Sequence, residues 1–225
     1  MVARTFDALL FDMDGVLCDS EPFIAAAAAE ALRRRYGIIV RREDFTPFIG
    51  AGDDRFILGG AEAHGVTGDL TIDKPLTYEI YLELVKASLE AVPGVHAFLA
   101  EARTAGLRMA LATGSDRPKL QGNLDAIGLA ESTFDVVVSA EQVTRKKPDP
   151  ETFLVAVRGL GLPADRCLVV EDARNGVLAG RAAGCAVLGI TSTLPAAVLL
   201  EAGAMATAPD FIALPPVIRE ALGLA

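Results

Sequence analysis

The sequence predicts an α/β fold, a doubly wound parallel sheet with a helical domain inserted into it, on the strength of three observations. Short apolar runs rich in β-branched residues alternate with longer amphipathic stretches. Near-continuous hydrophobicity over so few residues is what a strand buried on both faces requires, and the stretches between supply the two covers. Five of those stretches end beside a glycine, as helices closed by a left-handed C-cap do. One long segment, from about Glu21 to Leu89, carries helical patterns but no such run.

In chain order, strands are expected at Ala8 to Phe11, Leu107 to Ala112, Phe134 to Val138, Cys167 to Val170 and Ala186 to Ile190, with a last candidate at Asp210 to Leu214. Helices are expected at Gly94 to Ala105, Arg117 to Ile127, Pro150 to Leu160, Asn175 to Ala183 and Pro195 to Ala202, punctuated by Gly106, Gly128, Gly161, Gly184 and Gly203. Inside the strandless segment the helical patterns are Phe23 to Tyr36, Asp54 to His64 and Leu76 to Leu89. The expected division is therefore a core of residues 1–20 and 90–225 and an inserted helical domain of residues 21–89. Its hinges fall near Ser20 to Pro22 and near Val92 to Gly94, where Pro-Gly punctuates the return.

Composition bounds the function classes. The 225 residues are 52% hydrophobic and 23% charged, enough for a core of one or two domains, and they exclude collagen, coiled coil and wholesale disorder. A net charge of -9 repels polyanions, so no nucleic-acid partner is expected. Mean hydropathy is high at +0.38, yet charge or Gly/Pro cuts every apolar stretch short of the roughly 18 residues that a spanning helix needs. Arg4, Asp7, Asp12 and Asp14 interrupt any signal-peptide core, so neither membrane nor export is expected. Cys18, Cys167 and Cys185 match neither a disulfide framework nor a CxxC metal site; they fit a reduced cytoplasmic compartment and read as small buried hydrophobes. A monomer or weak homodimer is the expected assembly.

Four polar segments fall just after the C-terminal ends of four expected strands, where an open α/β sheet places its ligand crevice. Asp12 and Asp14 stand two apart at a strand exit, so both carboxylates can face one reacting group, and Gly15 allows a sharp turn. One carboxylate can attack as nucleophile while the other moves a proton. Thr113-Gly114-Ser115 precedes a helix and offers hydroxyls and N–H groups to a phosphate, or simply caps that helix. Lys146-Lys147-Pro148-Asp149-Pro150 holds an ammonium ahead of another helix, where it neutralises an anion or lies in solvent. Glu171-Asp172 ends the most apolar strand, and oxygen ligands from Asp12, Asp172 and a backbone carbonyl suit Mg²⁺. Each segment has a bland alternative; all four at one sheet edge point to phosphoryl chemistry.

These residues carry a family resemblance that covers the whole chain. Phe11 to Glu21, FDMDGVLCDSE, closely resembles the first motif of the haloacid dehalogenase superfamily, in its phosphatase and phosphomutase branch. Thr113, Lys147-Pro148-Asp149-Pro150 and Val170-Glu171-Asp172 resemble its second, third and fourth motifs, and the helical insertion resembles its cap. Within that family, Asp44 to Ile57 is similar to the phosphatase-like domain of plant suppressor-of-quenching proteins. The resemblance implies that Asp12 attacks phosphorus, becomes an aspartyl phosphate and ligates Mg²⁺, while Asp14 protonates the leaving group, then activates water, and lends its backbone carbonyl to the metal. It implies that Thr113 and the backbone of Gly114 and Ser115 bind phosphoryl oxygens. Lys147, rather than Lys146, then screens charge because it directly precedes the proline. Asp172 completes the metal site, with Glu171 in direct or water-mediated support.

The expected function is a Mg²⁺-dependent phosphatase acting on a small phosphorylated metabolite such as a sugar phosphate. Asp14 sets this reading apart from dehalogenase and phosphonate-cleaving relatives, which lack an acid at that place. A β-phosphoglucomutase-like mutase is the alternative; those enzymes usually carry a histidine on the first cap helix, where Ile24 stands here. A catalytically silent sensor on the same fold is a third reading, which the intact acid, hydroxyl and lysine set disfavours. His64 and His96 have no partner at ligand spacing and read as surface or packing residues. In the cap, Gly50-Ala51-Gly52-Asp53-Asp54-Arg55 reads as a specificity loop, with Arg55 the candidate for a second anionic group.

Overall fold

A computed structural model describes residues 4–48 and 52–224. Six parallel strands, β1 (Ala8–Phe11), β2 (Arg108–Ala112), β3 (Val136–Val138), β4 (Cys167–Glu171), β5 (Ala186–Ile190) and β6 (Ala206–Ala208), form one sheet in the order β3-β2-β1-β4-β5-β6. Side chains alternate across the sheet with period two, and both faces are buried. Leu9, Phe11, Met109, Leu111, Leu168 and Val170 face one cluster, while Ala8, Leu10, Ala110, Ala112 and Val169 face the other. This is why the strands read as unbroken apolar runs.

Among the described residues there are also ten α-helices. Four of the five described between β1 and β2 belong to the insertion: α1 (Glu21–Tyr36), α2 (Arg42–Phe45), α3 (Asp53–Glu62) and α4 (Leu70–Ser88). Then come α5 (Val95–Thr104), α6 (Arg117–Ala126), α7 (Glu151–Leu160), α8 (Arg174–Ala182), α9 (Ala196–Glu201) and α10 (Pro216–Leu222). Buried residues of α5, α6 and α10 join the Leu9 side, and those of α7, α8 and α9 join the Leu10 side. All five glycines expected to close helices have positive φ, from 68° at Gly128 and Gly161 to 109° at Gly203.

Two expectations are corrected. Asp210 to Leu214 is not a strand: Asp210 Oδ1 accepts the N–H groups of Ile212 and Ala213 at 2.8 and 2.9 Å, turning the chain while Phe211 and Leu214 remain buried. The edge strand is the preceding Ala206–Ala208, paired with β5 from Leu188 to Ile190. Helix α4 begins at Leu70, not Leu76, because the Asp69 side chain caps it through Thr71 N–H at 3.0 Å and the helix runs through Pro75.

Helix α4 lies along α1, where the buried carboxylate of Asp73 accepts from Tyr36 Oη at 2.8 Å and from Arg35 at 3.2 Å. Phe45 of α2 stacks on Phe56 of α3, with ring centroids 4.6 Å apart. The two connections to the insertion meet: Val92 N–H donates to Leu17 O at 3.0 Å, and Cys18 bridges to both Ala91 and Asp14. All three cysteines are buried and free, and no described helix is long and apolar enough to cross a membrane.

Candidate active site

Strand order reverses at β1, which has β2 on one side and β4 on the other, so a crevice opens beyond their C-terminal ends. A cavity of about 120 Å³ lies there, with Asp12, Asp14, Gly114, Lys147 and Asp172 on its core wall and Glu21, Ile24, Phe48, Asp53 and Phe56 facing them from the insertion.

Asp12 continues β1, its N–H donating to Val170 O at 3.0 Å, and is 8% exposed. Lys147 Nζ reaches Asp12 Oδ1 and Glu171 Oε1, each at 2.7 Å, and Ala112 O at 3.2 Å. The same ammonium lies 4.6 Å from the centroid of the Phe153 ring. Burial pushes the Asp12 carboxyl up to about 7, aided by the charges of Glu171 and Asp14 and opposed by Lys147. Burial, Glu171 and Asp12 likewise hold Asp172 well above the usual carboxylate range.

The Asp12, Glu171 and Asp172 carboxylates offer oxygens within 4.8 Å of one another, all three residues buried. Three acids against one lysine leave uncompensated charge, and an all-oxygen donor set suits a hard divalent cation. Both Glu171 oxygens have partners: Lys147 on Oε1, and the N–H groups of Asp172 and Ala173 on Oε2 at 3.0 and 3.1 Å. Asp12 and Asp172 are thus the carboxylates better placed as direct ligands. Gly176, in the first turn of α8, admits Glu171: a Cβ there would stand 1.8 Å from Oε1.

Asp14 meets four donors. Ser20 Oγ and Asn123 Nδ2 donate to Oδ1, the latter at 3.3 Å, while Ser115 Oγ at 2.6 Å and Lys119 Nζ at 3.1 Å donate to Oδ2. Burial alone would raise its carboxyl, but the Lys119 charge and the Ser115 and Ser20 hydroxyls bring it below its ordinary value. Lys119 is 2% exposed and also donates to Asp53 Oδ1 at 3.1 Å, joining the core acid to the insertion.

Of the phosphate-loop residues expected from the sequence, Gly114 and Ser115 line the cavity. Thr113 is buried beside it, and its Oγ1 accepts Ser115 N–H at 3.0 Å. Arg55 is not among the described lining residues: it donates to Glu62 Oε2 at 2.8 Å and lies over the Phe48 ring at 4.4 Å. Gly50 and Ala51 of that loop lie outside the described residues. Lys146 sits by Gly52, and it is Lys147 that reaches Asp12. His64 pairs with Asp44 at 2.9 Å, and His96 is exposed.

Sequence reasoning missed Lys119, Asn123 and Thr193, of which Thr193 hydrogen-bonds Asp172, and it placed Asp53 in the specificity loop without giving it a role. A signal existed for two of them. Lys119, Leu120, Asn123 and Leu124 are the buried residues of α6, so two polar residues interrupt an apolar helical stripe.

A family model described as haloacid dehalogenase-like hydrolase matches residues 6–184. The chain is 39% identical over 199 residues to Protein SUPPRESSOR OF QUENCHING 1, chloroplastic, of Arabidopsis thaliana, covering 87% of this chain but only 19% of that much longer protein. It is 32% identical over 191 residues to Hexitol phosphatase A of Escherichia coli, covering 81% and 82% of the two chains. Among solved structures, a putative beta-phosphoglucomutase from Thermotoga maritima superposes with a TM-score of 0.74 at 30% identity, over 90% of this chain and 94% of that one.

Proposed function

The chain belongs to the haloacid dehalogenase-like hydrolases, and we propose that it is a Mg²⁺-dependent phosphatase that hydrolyses a small phosphorylated metabolite, a sugar or polyol phosphate, through an aspartyl phosphate on Asp12. The observation that carries this reading is the juxtaposition of Asp12 with Lys147 at 2.7 Å, inside a cluster of three buried carboxylates and two residues from Asp14. A silent binding protein has no use for that arrangement.

In the reaction an Asp12 oxygen attacks phosphorus and the bond to the leaving oxygen breaks. Asp14, held as a carboxylate in the free site by Lys119 and its hydroxyl donors, takes up the proton that the ester's monoanion brings, gives it to the leaving oxygen, and then takes a proton from the water that hydrolyses the acyl phosphate. Lys147 orients Asp12 and offsets charge as the phosphoryl group arrives. Gly114 and Ser115 offer polar groups to its equatorial oxygens. Asp12, Asp172 and the Asp14 carbonyl would hold Mg²⁺, which supplies neutralisation of phosphoryl charge. Glu171 supports this set by fixing Lys147. The insertion serves as a cap, bringing Glu21, Ile24, Phe48 and Phe56 over the leaving group and limiting water. Ile24 gives the cavity an apolar wall where the mutase alternative calls for a histidine, which favours transfer to water.

The test is inorganic phosphate release from a panel of sugar, polyol and small organic phosphates, with Mg²⁺ or EDTA, by wild type and Asp12→Asn. Release that needs both Mg²⁺ and Asp12 is expected; isomerisation of β-glucose 1-phosphate without phosphate release would reverse the reading in favour of the mutase.

A further inference from the structure

The charges on the cavity wall bear on which phosphate ester fits. The described wall carries six acids, Asp12, Asp14, Glu21, Asp53, Glu171 and Asp172, against two lysines, Lys147 and Lys119. Lys147 is engaged by Asp12 and Glu171, where the transferred phosphoryl group belongs. Lys119 is the described lining cation on the leaving-group side, and it is held between two carboxylates, Asp14 and Asp53, at 3.1 Å each.

Asp53 is itself fixed. Its second oxygen accepts Tyr78 Oη at 2.7 Å, and it opens helix α3, where a negative charge is favoured by the helix N-terminus. The rest of the insertion's described wall is one further acid, Glu21, with Gly52 and the apolar Ile24, Phe48 and Phe56. Lys146 is not among the described lining residues; it stands beside Gly52, which is.

Resting on the phosphatase reading, we propose that Asp53 is a specificity-determining residue: by claiming Lys119 it leaves none of the described lining cations for a second anionic group, so the enzyme selects monoesters of neutral polyols or sugars against bisphosphates and phospho-carboxylates. A second phosphate or carboxylate would meet Glu21 and Asp53 in a confined, partly apolar space, where like charges repel more strongly than in water.

The experiment compares kcat/KM for a hexitol monophosphate, a hexose bisphosphate and phosphoglycolate at fixed Mg²⁺ and ionic strength, in wild type, Asp53→Asn and Lys146→Met. Wild type is expected to favour the monophosphate by roughly tenfold or more, and Asp53→Asn to narrow that preference several-fold, mainly through KM. Equal use of the doubly anionic esters by wild type overturns the inference, as does an unchanged preference in Asp53→Asn. Readout of the second anion at Lys146, with Lys146→Met alone altering the preference, overturns it as well. The same ranking is read from calorimetric binding of the three esters to the Asp12→Asn variant and to Asp12→Asn with Asp53→Asn. Absent turnover in wild type counts against the phosphatase reading; loss of the binding ranking counts against this one.

Discussion

Replacing Gly15 with alanine acts on the point where the loop after β1 meets the loop after β4. Gly15 has φ 76°, a left-handed conformation that costs an L-residue roughly 1–2 kcal/mol. The added Cβ would also stand 1.9 Å from Asp172 Oδ2 and 2.9 Å from Thr193 Oγ1. The first distance is about 1.5 Å short of van der Waals contact, so Asp172 must move by about that much. Asp172 is 4% exposed, and the space it leaves is bounded by Asp12 and Glu171. Strain alone lowers the melting temperature by roughly 2–8 °C in a domain of this size. Displacing a metal ligand by more than 1 Å lowers kcat/KM by roughly a hundredfold or more and raises the Mg²⁺ concentration needed for half-maximal phosphate release. Thermal melts and Mg²⁺ titrations of activity read the two effects separately. A variant with the lowered melting temperature but wild-type activity and Mg²⁺ dependence would refute the assignment of Asp172 as a ligand.

Two further outcomes follow from the same charges. Lys147→Met leaves Asp12 and Glu171 buried without their shared cation and lowers stability by about 3–5 kcal/mol in urea denaturation. The deficit narrows as pH falls, because Asp12, whose carboxyl burial already raises, takes up a proton first in the folded protein; a deficit independent of pH contradicts the pairing. In EDTA, wild-type stability falls as pH rises from about 5 to about 7. Asp12 and Asp172 are held above their unfolded values there, while lowered groups such as Asp14 and Asp7 have already ionised in both states. Mg²⁺ reverses the fall by binding the ionised pair; melts that rise across this window in EDTA, or are indifferent to Mg²⁺, are the contrary result.

The core strands were legible because burial on both faces leaves no polar position to confuse the pattern: Ala8, Leu9, Leu10 and Phe11 are all fully buried, two on each side of the sheet. The edge was harder. Ala206–Ala208 is short and only partly buried, whereas Phe211 and Leu214 are buried without being strand, held by an Asp210 turn. Pro75 reads as a breaker in sequence, yet it falls early in α4, after a side-chain cap that local pattern alone does not separate from a loop. The acids and lysine of the motif segments were visible because turn chemistry and strand ends place them locally. Lys119 was not, because its partners Asp14 and Asp53 are 105 and 66 residues away and only the docking of α4 on α6, with α3 packed on α4, makes its burial affordable.

The most direct test of the central claim is to capture the covalent intermediate. With acetyl phosphate, whose leaving group needs no proton, and Mg²⁺, the Asp14→Asn variant is expected to accumulate a phosphoenzyme, seen as a single phosphoryl mass increment and located by peptide mapping at Asp12. An unmodified chain that nonetheless releases phosphate, or a phosphoryl group mapped to any other residue, would contradict Asp12 as the nucleophile.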